Sequence, residues 1–310
     1  MQRENKLFLV ILFLFNIFCM SAQQLDSLRV DSTKLDSLNS CNWKLKSLYS
    51  LNGAQSSFIN WNAGGRNNIA LNASIRASAN FNKEMWNWSN DLSLAFGGIK
   101  YLDESDAFMY QKTDDKIDLS SKVGMRISKK FLISLNAGFK TQFADGFTYP
   151  NDSIPVSKFM APGYMNLALG TDYVKDANFS IFGAPFAAKT TFVMDDSLSQ
   201  IGSFGVEQGE QIRHEFGAFI KLKWNAELMK NIEMKSKLEL FSNYLNNPQN
   251  IDVNAELVFV FRVNSLFSAT AQWNLIYDDD IQIRDSNGNV GPRTQFKSVL
   301  GIGISYKLEN

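Results

Sequence analysis

Charged residues recur at every second position in several stretches of this 310-residue sequence. Lys116 and Asp118 are separated by one apolar residue, and Lys235, Lys237 and Glu239 show the same spacing farther along the chain. Side chains two apart on a β-strand point to one face, so charges of both signs would share one side of a sheet. Such a face can line an aqueous lumen or fill it with ion pairs. The candidate lumen-lining residues are Arg76, Asp91, Lys116, Asp118, Lys122, Arg126, Lys140, Lys221, Lys223, Glu233, Lys235, Lys237, Glu239, Asp252, Glu256 and Arg262.

The only histidine, His214, is the residue whose type most suggests hydrolytic chemistry. Alternation places it on the same apolar face as Phe216, near the end of a strand. Phe216 occupies the position where a histidine–serine arrangement would need a serine. We therefore predict a histidine at the rim, no catalytic residue, no cofactor and no enzymatic activity.

Acidic residues cluster in segments that we expect to be long loops. Grouped carboxylates are the ligands that calcium prefers, although none of these clusters has EF-hand spacing. We predict solvated loops and no metal site, and the sequence leaves calcium binding open. The clusters are Asp103, Glu104 and Asp106; Asp114 and Asp115; Asp195 and Asp196; and Asp278, Asp279 and Asp280.

Alternation of apolar and polar residues recurs in separate segments between residues 45 and 308 and predicts an all-β chain. Pro185 cannot donate to a strand ladder, so its segment should contain a bulge. We predict an antiparallel up-and-down transmembrane β-barrel of about 12 strands. The predicted strands are 45–61, 67–82, 85–98, 115–127, 131–143, 161–173, 179–193, 213–227, 231–244, 251–263, 267–278 and 293–308.

Three features favour a membrane barrel over a soluble β-sandwich. The strands are longer than usual soluble strands, and their connections alternate between short and long, as in outer-membrane barrels. Charges on the polar faces would cost about 2–4 kcal/mol if they faced mid-membrane hydrocarbon, whereas a closed barrel turns them inward. Aromatic residues near the strand ends suggest girdles at the two membrane surfaces. The candidate girdle residues are Trp86, Trp88, Tyr173, Trp224, Tyr277 and Tyr306.

The N-terminal residues predict export. Arg3 and Lys6 precede an apolar run that is too short for a membrane span, and Ser21-Ala22 offers a cleavage site. We predict a signal peptide at 1–22, a flexible periplasmic linker at 23–42 and an outer-membrane barrel at 43–310. Lys plus Arg equals Asp plus Glu, 31 each, which disfavours a nucleic-acid partner. The expected partners are outer-membrane lipid and, through the last strand, the barrel-assembly machinery.

Several separated stretches resemble one known family. They read QSSFINWNAGGRN at 55–67, QKTDDKIDL at 111–119, LFSNYLNNPQNIDVN at 240–254, LIYDDDIQI at 275–283 and GPRTQFKSVLGIGISYKL at 291–308. Together they resemble the domain of unknown function 3078 family of Bacteroidetes outer-membrane β-barrels. The resemblance implies the fold and the location, and it implies no activity.

Two functions remain open from the sequence. The first is a small-solute channel or transport barrel of porin-like type. The alternative is a non-conducting scaffold or surface-binding barrel that acts through its extracellular loops. The state of the lumen, open or plugged, separates the two functions. The sequence predicts neither that state nor the solute, the partner or the oligomeric state.

Overall fold

The computed structural model describes residues 42–57, 66–102, 111–284 and 289–309, and these residues form twelve long β-strands, four short ones and little helix. The long strands are β1 (Trp43–Ser56), β2 (Asn68–Lys83), β3 (Trp86–Tyr101), β4 (Gln111–Arg126), β5 (Phe131–Thr141), β8 (Gly163–Val174), β9 (Phe179–Phe192), β10 (Ile212–Met229), β11 (Ile232–Asn243), β12 (Asp252–Arg262), β13 (Phe267–Tyr277) and β16 (Gln295–Glu309). The short elements are β6 (Gly146–Phe147), β7 (Pro155–Ser157), α1 (Asp196–Gln200), a 3₁₀ turn (Ser203–Gly205), β14 (Gln282–Arg284) and β15 (Val290–Pro292). Within the described ranges, no helix has the length and apolar character that a membrane span requires.

The twelve long strands close into one antiparallel barrel. Each pairs with its sequence neighbour among the long strands, and β16 returns to pair with β1. The all-β fold and the strand number predicted from alternation are therefore confirmed. The predicted signal peptide and linker lie outside the described residues, apart from Asn42.

The connections alternate in length as predicted. Tight turns of two to four residues join β2 to β3, β4 to β5, β8 to β9, β10 to β11 and β12 to β13. Longer connections lie at the opposite end, and two of them carry the small hairpins β6–β7 and β14–β15. We call these ends the turn end and the loop end. Several strand boundaries differ from the prediction: β3 continues to Tyr101 and not only to 98, and β4 starts at Gln111 and not at 115, which takes Asp114 into the barrel.

The two faces of the barrel have opposite chemistry. Outward positions expose large apolar side chains, which include Leu71, Leu119, Ile133, Leu167, Ile220 and Leu300. Inward positions bury charged and polar groups together with one apolar cluster. That cluster comprises Ala168, Phe182, Ala184, Ala187, Phe219 and Phe241, on strands β8 to β11.

The bulge predicted at Pro185 is present in β9. Leu169 of β8 pairs with Phe186 and Thr171 pairs with Gly183, so the register shifts at this point. Pairing with β10 shifts at the same place. As a result, the inward face of β9 changes from even positions before the bulge to odd positions after it.

The connection from β9 to β10 is ordered by its own small core at the loop end. Ala161, Val193, Leu198 and Val206 are buried there, and Phe204 packs against them. This core holds the loop end in a defined shape.

The carboxylate of Asp195 caps α1. It accepts hydrogen bonds from the Leu198 N–H at 3.1 Å and from the Lys158 ammonium at 2.6 Å. The Lys158 hydrogen bond, with help from the Ser197 hydroxyl, lowers the pKa of Asp195 from its ordinary value to about 2. The carboxylate therefore stays charged in all but strongly acidic solution.

Replacing Asp195 with Ala should speed hydrogen exchange of the Leu198 amide about fivefold, because a lost cap costs about 1 kcal/mol. Mass spectrometry or NMR of the exchanging amide would measure this effect. Asp196→Ala is the control, since Asp196 accepts from the Gln211 side chain, whereas the Leu198 amide donates to Asp195. The folded pKa lies below the unfolded value, so the difference should be complete above about pH 4 and vanish as the pH falls towards 2. Equal exchange in both variants would contradict the capping role.

Candidate functional site: the charged lumen

An ion pair crosses the middle of the barrel between opposite strands. Lys116 of β4 donates to Glu256 of β12 at 2.9 Å, and these two strands are six steps apart in the ring of twelve. A lysine and a glutamate could not meet across a circular cylinder about 24 Å wide, the width expected for twelve strands at usual tilt. The barrel is therefore flattened along this line, and its walls are bridged directly.

Arg76 extends this contact to a third wall. Its guanidinium donates to the Gln272 side chain of β13 at 2.8 Å and lies 3.9 Å from Glu256. Gln272 in turn donates to Glu256 at 3.3 Å. Strands β2, β4, β12 and β13 are thus joined through one carboxylate.

Glu239 is the centre of a second crossing group. It is 7% exposed and pairs with Lys140 of β5, with Lys221 of β10 at 3.5 Å and with its strand neighbour Lys237 at 3.8 Å. Lys237 also donates to Asp118 of β4 at 2.8 Å. A carboxylate surrounded by three ammonium groups balances charge that would otherwise be uncompensated in a buried site.

Toward the turn end the pairs continue. Lys221 donates to the Ser120 hydroxyl at 2.8 Å. Lys122 pairs with Asp172 of β8, and Lys223 pairs with Asp91 of β3. The Lys122 ammonium also lies 6.0 Å from the centre of the Phe182 ring, which belongs to the interior apolar cluster.

At the turn end itself the predicted charges bridge only adjacent strands. Arg262 of β12 contacts Glu233 of β11 at 2.6 Å, and both side chains are about one-third exposed. Lys235 lies on the same inward face of β11, and Arg126 ends β4 as an exposed residue. These residues form a rim and do not cross the lumen.

At the loop end, one lysine is surrounded by carboxylates. The Lys189 ammonium contacts Asp252 at 2.5 Å, Asp278 at 2.9 Å and Glu215 at 3.5 Å. Arg213 shares Glu215 at 2.6 Å. The carboxylates of this end are therefore held by cations of the chain itself.

All sixteen predicted lumen charges lie on inward positions or at the inner rim, and the structure joins most of them in pairs. Sequence reasoning missed Lys189, because simple alternation from Phe179 puts it outside and only the bulge at Pro185 turns it inward. It also missed Asp114, which lies inside β4 and accepts from Lys297 at 2.7 Å and from Asn72 at 3.0 Å. No feature of the sequence identifies which lysine meets which carboxylate.

The acidic clusters do not form open calcium sites in the described part of the chain. Asp115 accepts from Lys112 and from two loop amides. Asp279 accepts from the Asn250 amide, and Asp280 pairs with Arg213 at 3.0 Å. The cluster at 103–106 lies outside the described residues, as does the tip of the first loop at 58–65.

His214 faces outward at the loop end of β10, as alternation predicts. Its Nδ1 lies 3.0 Å from the Thr190 hydroxyl of β9. The neighbouring residues Arg213 and Glu215 point into the lumen and belong to the Lys189 group. The geometry thus gives His214 a hydroxyl neighbour on the outer surface.

The predicted girdle aromatics occupy outward positions near strand ends. Trp86, Trp88, Trp224 and Tyr306 are exposed toward the turn end, Tyr173 packs on Phe131 there, and Tyr277 ends β13 at the loop end. Sequence reasoning missed Trp43, whose ring lies 5.4 Å from that of Trp88.

A small cavity in the described interior is lined by residues of β1, β2, β3, β4, β12, β13 and β16. Its volume is about 20 Å³, and its lining includes Asn52, Arg76, Lys116, Thr270 and Gly301. A space of this size holds about one water molecule. The cavity is no path for a solute.

Residues 54–147 match the family model described as "Protein of unknown function (DUF3078)". The resemblance inferred from the sequence is confirmed over this segment, which is shorter than the nearly full-length likeness expected. No curated protein matches the chain.

Several solved barrels resemble the chain in structure at low identity. The translocator domain of the autotransporter NalP from Neisseria meningitidis has 10% identity and a TM-score of 0.34, with coverage of 94% of this chain and 97% of that one. The NanC porin has 7% identity and a TM-score of 0.37, covering 83% and 98%. The COG4313 outer membrane channel from Pseudomonas putida F1 has 11% identity and a TM-score of 0.37, covering 86% and 96%. The barrel fold is assigned from the pairing of the chain's own strands.

Proposed function

We propose that this protein is an outer-membrane β-barrel with a plugged lumen, which acts as a non-conducting scaffold that presents its loop end outside the cell. Of the two functions that the sequence leaves open, the geometry favours this one over the solute channel. The observation that carries the proposal is the direct Lys116–Glu256 contact between opposite walls. Its partners in this proposal are outer-membrane lipid and, during insertion, the barrel-assembly machinery, which reads the last strand.

The distribution of polarity supports the membrane location. Exposed leucine, isoleucine and phenylalanine side chains cover the outward positions, whereas most charges of the long strands lie inside. Exposing an apolar surface of this extent to water would cost free energy. Contact with lipid hydrocarbon removes that cost. Closure also removes unpaired strand edges, which lipid cannot satisfy.

The nature of the loop end supports the scaffold role. Large apolar side chains are exposed on the loops beyond β5 and β9, namely Ile154, Val156, Phe159, Met194 and Ile201. Exposed apolar groups on ordered loops are typical of protein-binding surfaces. The filled lumen beneath them would hold the ends of the strands, and hence the loops, in one arrangement.

The purified protein, reconstituted in planar bilayers, should give no conductance steps, because ion pairs bridge opposite walls of the lumen. Insertion must be checked in the same preparation by protease protection and by the heat-dependent gel mobility of a folded barrel. Reproducible single-channel steps from inserted wild-type protein would refute the plugged scaffold and restore the channel.

A further inference from the structure

The contact between the first and last strands is the shortest in the barrel, with eight paired positions against ten or more in each of the other contacts between neighbouring long strands. β1 pairs with β2 along its whole length, from Trp43 to Ser56, but it pairs with β16 only from Lys46 to Gly53, opposite Glu309 to Ile302. Ala54, Gln55 and Ser56 would come next in register against Gly301, Leu300 and Val299. In the described residues, these two short segments are not paired with each other. We call this unpaired stretch, 54–56 opposite 299–301 at the loop end, the open seam.

An apolar groove lies on the outer surface at this opening. Its volume is about 340 Å³, within the range of about 300–1,000 Å³ for small-ligand pockets. Small residues form its floor, and Leu300, which is 72% exposed, lies on its edge. The lining residues are Gly53, Ala54, Phe261, Ala269, Thr270, Ala271, Leu300, Gly301 and Ile302.

The groove meets the small interior cavity at the seam. Gly301 and Thr270 line both spaces, so only the thin wall at these residues separates them. Gly301 has no side chain, and a Cβ there would lie 2.8 Å from the Cβ of Asn52, so the Asn52 side chain packs directly against this thin wall.

Asn52 supplies an unused acceptor at the inner end. It is 8% exposed and lines the cavity, and its Oδ1 is buried without a hydrogen-bond partner. A buried acceptor without a partner is costly, so a donor arriving at this point gains the full hydrogen bond.

The charges around the cavity restrict the donor to a neutral group. Arg76 is already bound to Gln272, Lys116 to Glu256, and Asp114 to Lys297. A charged head group would have to break one of these pairs, whereas a hydroxyl needs only Asn52. The cavity volume of about 20 Å³ also admits a group no larger than a hydroxyl.

We propose that the open seam binds a neutral single-chain amphiphile, with its acyl chain in the outer groove and a hydroxyl of its head group donating to Asn52 Oδ1. This site rests on the proposed membrane location, because lipid is the source of such a molecule. The class is that of the monoacylglycerols, and the matched non-donor is a fatty-acid methyl ester.

Disulfide trapping tests the open seam. In a background with Cys19→Ser and Cys41→Ser, the pair Leu51→Cys and Ile304→Cys lies in register and should cross-link readily on oxidation. The pair Gln55→Cys and Leu300→Cys, four positions along β1, should cross-link poorly. Equal cross-linking of both pairs would overturn the open seam.

Native mass spectrometry of the full chain in detergent tests the ligand, with monoolein and methyl oleate as probes. Asn52→Ala should weaken monoolein binding about three- to tenfold, the contribution of one hydrogen bond, and leave methyl oleate binding unchanged. Ala269→Leu should fill the groove and weaken both probes. Ala218→Leu, an outward position on β10, which contributes no residue to the groove, should change neither.

The outcomes separate this site from the proposed function. Unchanged monoolein binding in Asn52→Ala, or equal loss in Ala218→Leu and Ala269→Leu, would refute the site even if the barrel inserts and stays silent in bilayers. Failure of the wild-type chain to insert into vesicles would refute the membrane location itself.

Discussion

Removing eight charged side chains that bridge distant strands across the lumen is expected to convert a silent barrel into a conducting one. The change is serine at Lys116, Glu256, Lys237, Asp118, Lys140, Glu239, Lys223 and Asp91, which pair between strands four to six steps apart in the ring. It removes four charges of each sign, so the net charge is preserved while these bridges across the lumen disappear. Arg76 and Lys221 would then line the opening and should favour anions. Planar-bilayer recording in asymmetric salt would measure both the conductance steps and their selectivity.

The matched control removes a pair that does not cross the lumen. Glu233→Ser with Arg262→Ser deletes one ion pair between adjacent strands at the turn-end rim. This variant should remain as silent as the wild type, because no wall-to-wall contact is lost. Conductance in the control, or silence in the properly inserted eight-residue variant, would show that the ion pairs are not the plug.

Glu239→Gln is expected to lower the free energy of unfolding by about 3–5 kcal/mol, the cost of leaving buried charges without a partner. The amide keeps the shape of the side chain but removes the carboxylate that Lys140, Lys221 and Lys237 share. Lys237 retains Asp118, so the main loss falls on the other two lysines. Urea unfolding of the barrel from lipid vesicles, followed by tryptophan fluorescence, would measure the change.

Glu233→Gln provides the comparison for this substitution. Glu233 pairs with Arg262 at the rim, where both side chains are about one-third exposed. Exposed pairs contribute about 0–1 kcal/mol, so the variant should unfold close to the wild type. An equal effect of the two substitutions would mean that burial does not determine the strength of these pairs.

Most of the barrel could be predicted from the sequence, because alternation shows which residues of a strand face the lumen and which face the outer surface. The predicted strand 131–143 corresponds to β5 at Phe131–Thr141, and 267–278 corresponds to β13 at Phe267–Tyr277. The charged faces were also assigned correctly in most strands, since an inward lysine stands between two outward apolar residues. Local pattern is sufficient for these features.

The arrangement of the lumen could not be predicted, because it depends on how far apart the walls are. Lys116 and Glu256 are separated by 140 positions in the chain, and nothing near either residue indicates the other. A circular barrel of twelve strands would leave an opening of about 10 Å after side chains are added, so circular geometry alone does not give the contact that the structure shows. Flattening of the barrel brings the walls together, and no pattern of neighbouring residues in the sequence indicates it.

The single extra residue at Pro185 determines which of the later residues of β9 face the lumen and which face outward. A chain shortened by one residue there would turn Lys189 and Thr191 toward the outside and Thr190 toward the inside. Glu215, Asp252 and Asp278 would lose their shared cation, and an ammonium group would instead meet the apolar surroundings. The long connections can change in length without altering the strands. A change of one residue at Pro185 reverses which residues of β9 face the lumen.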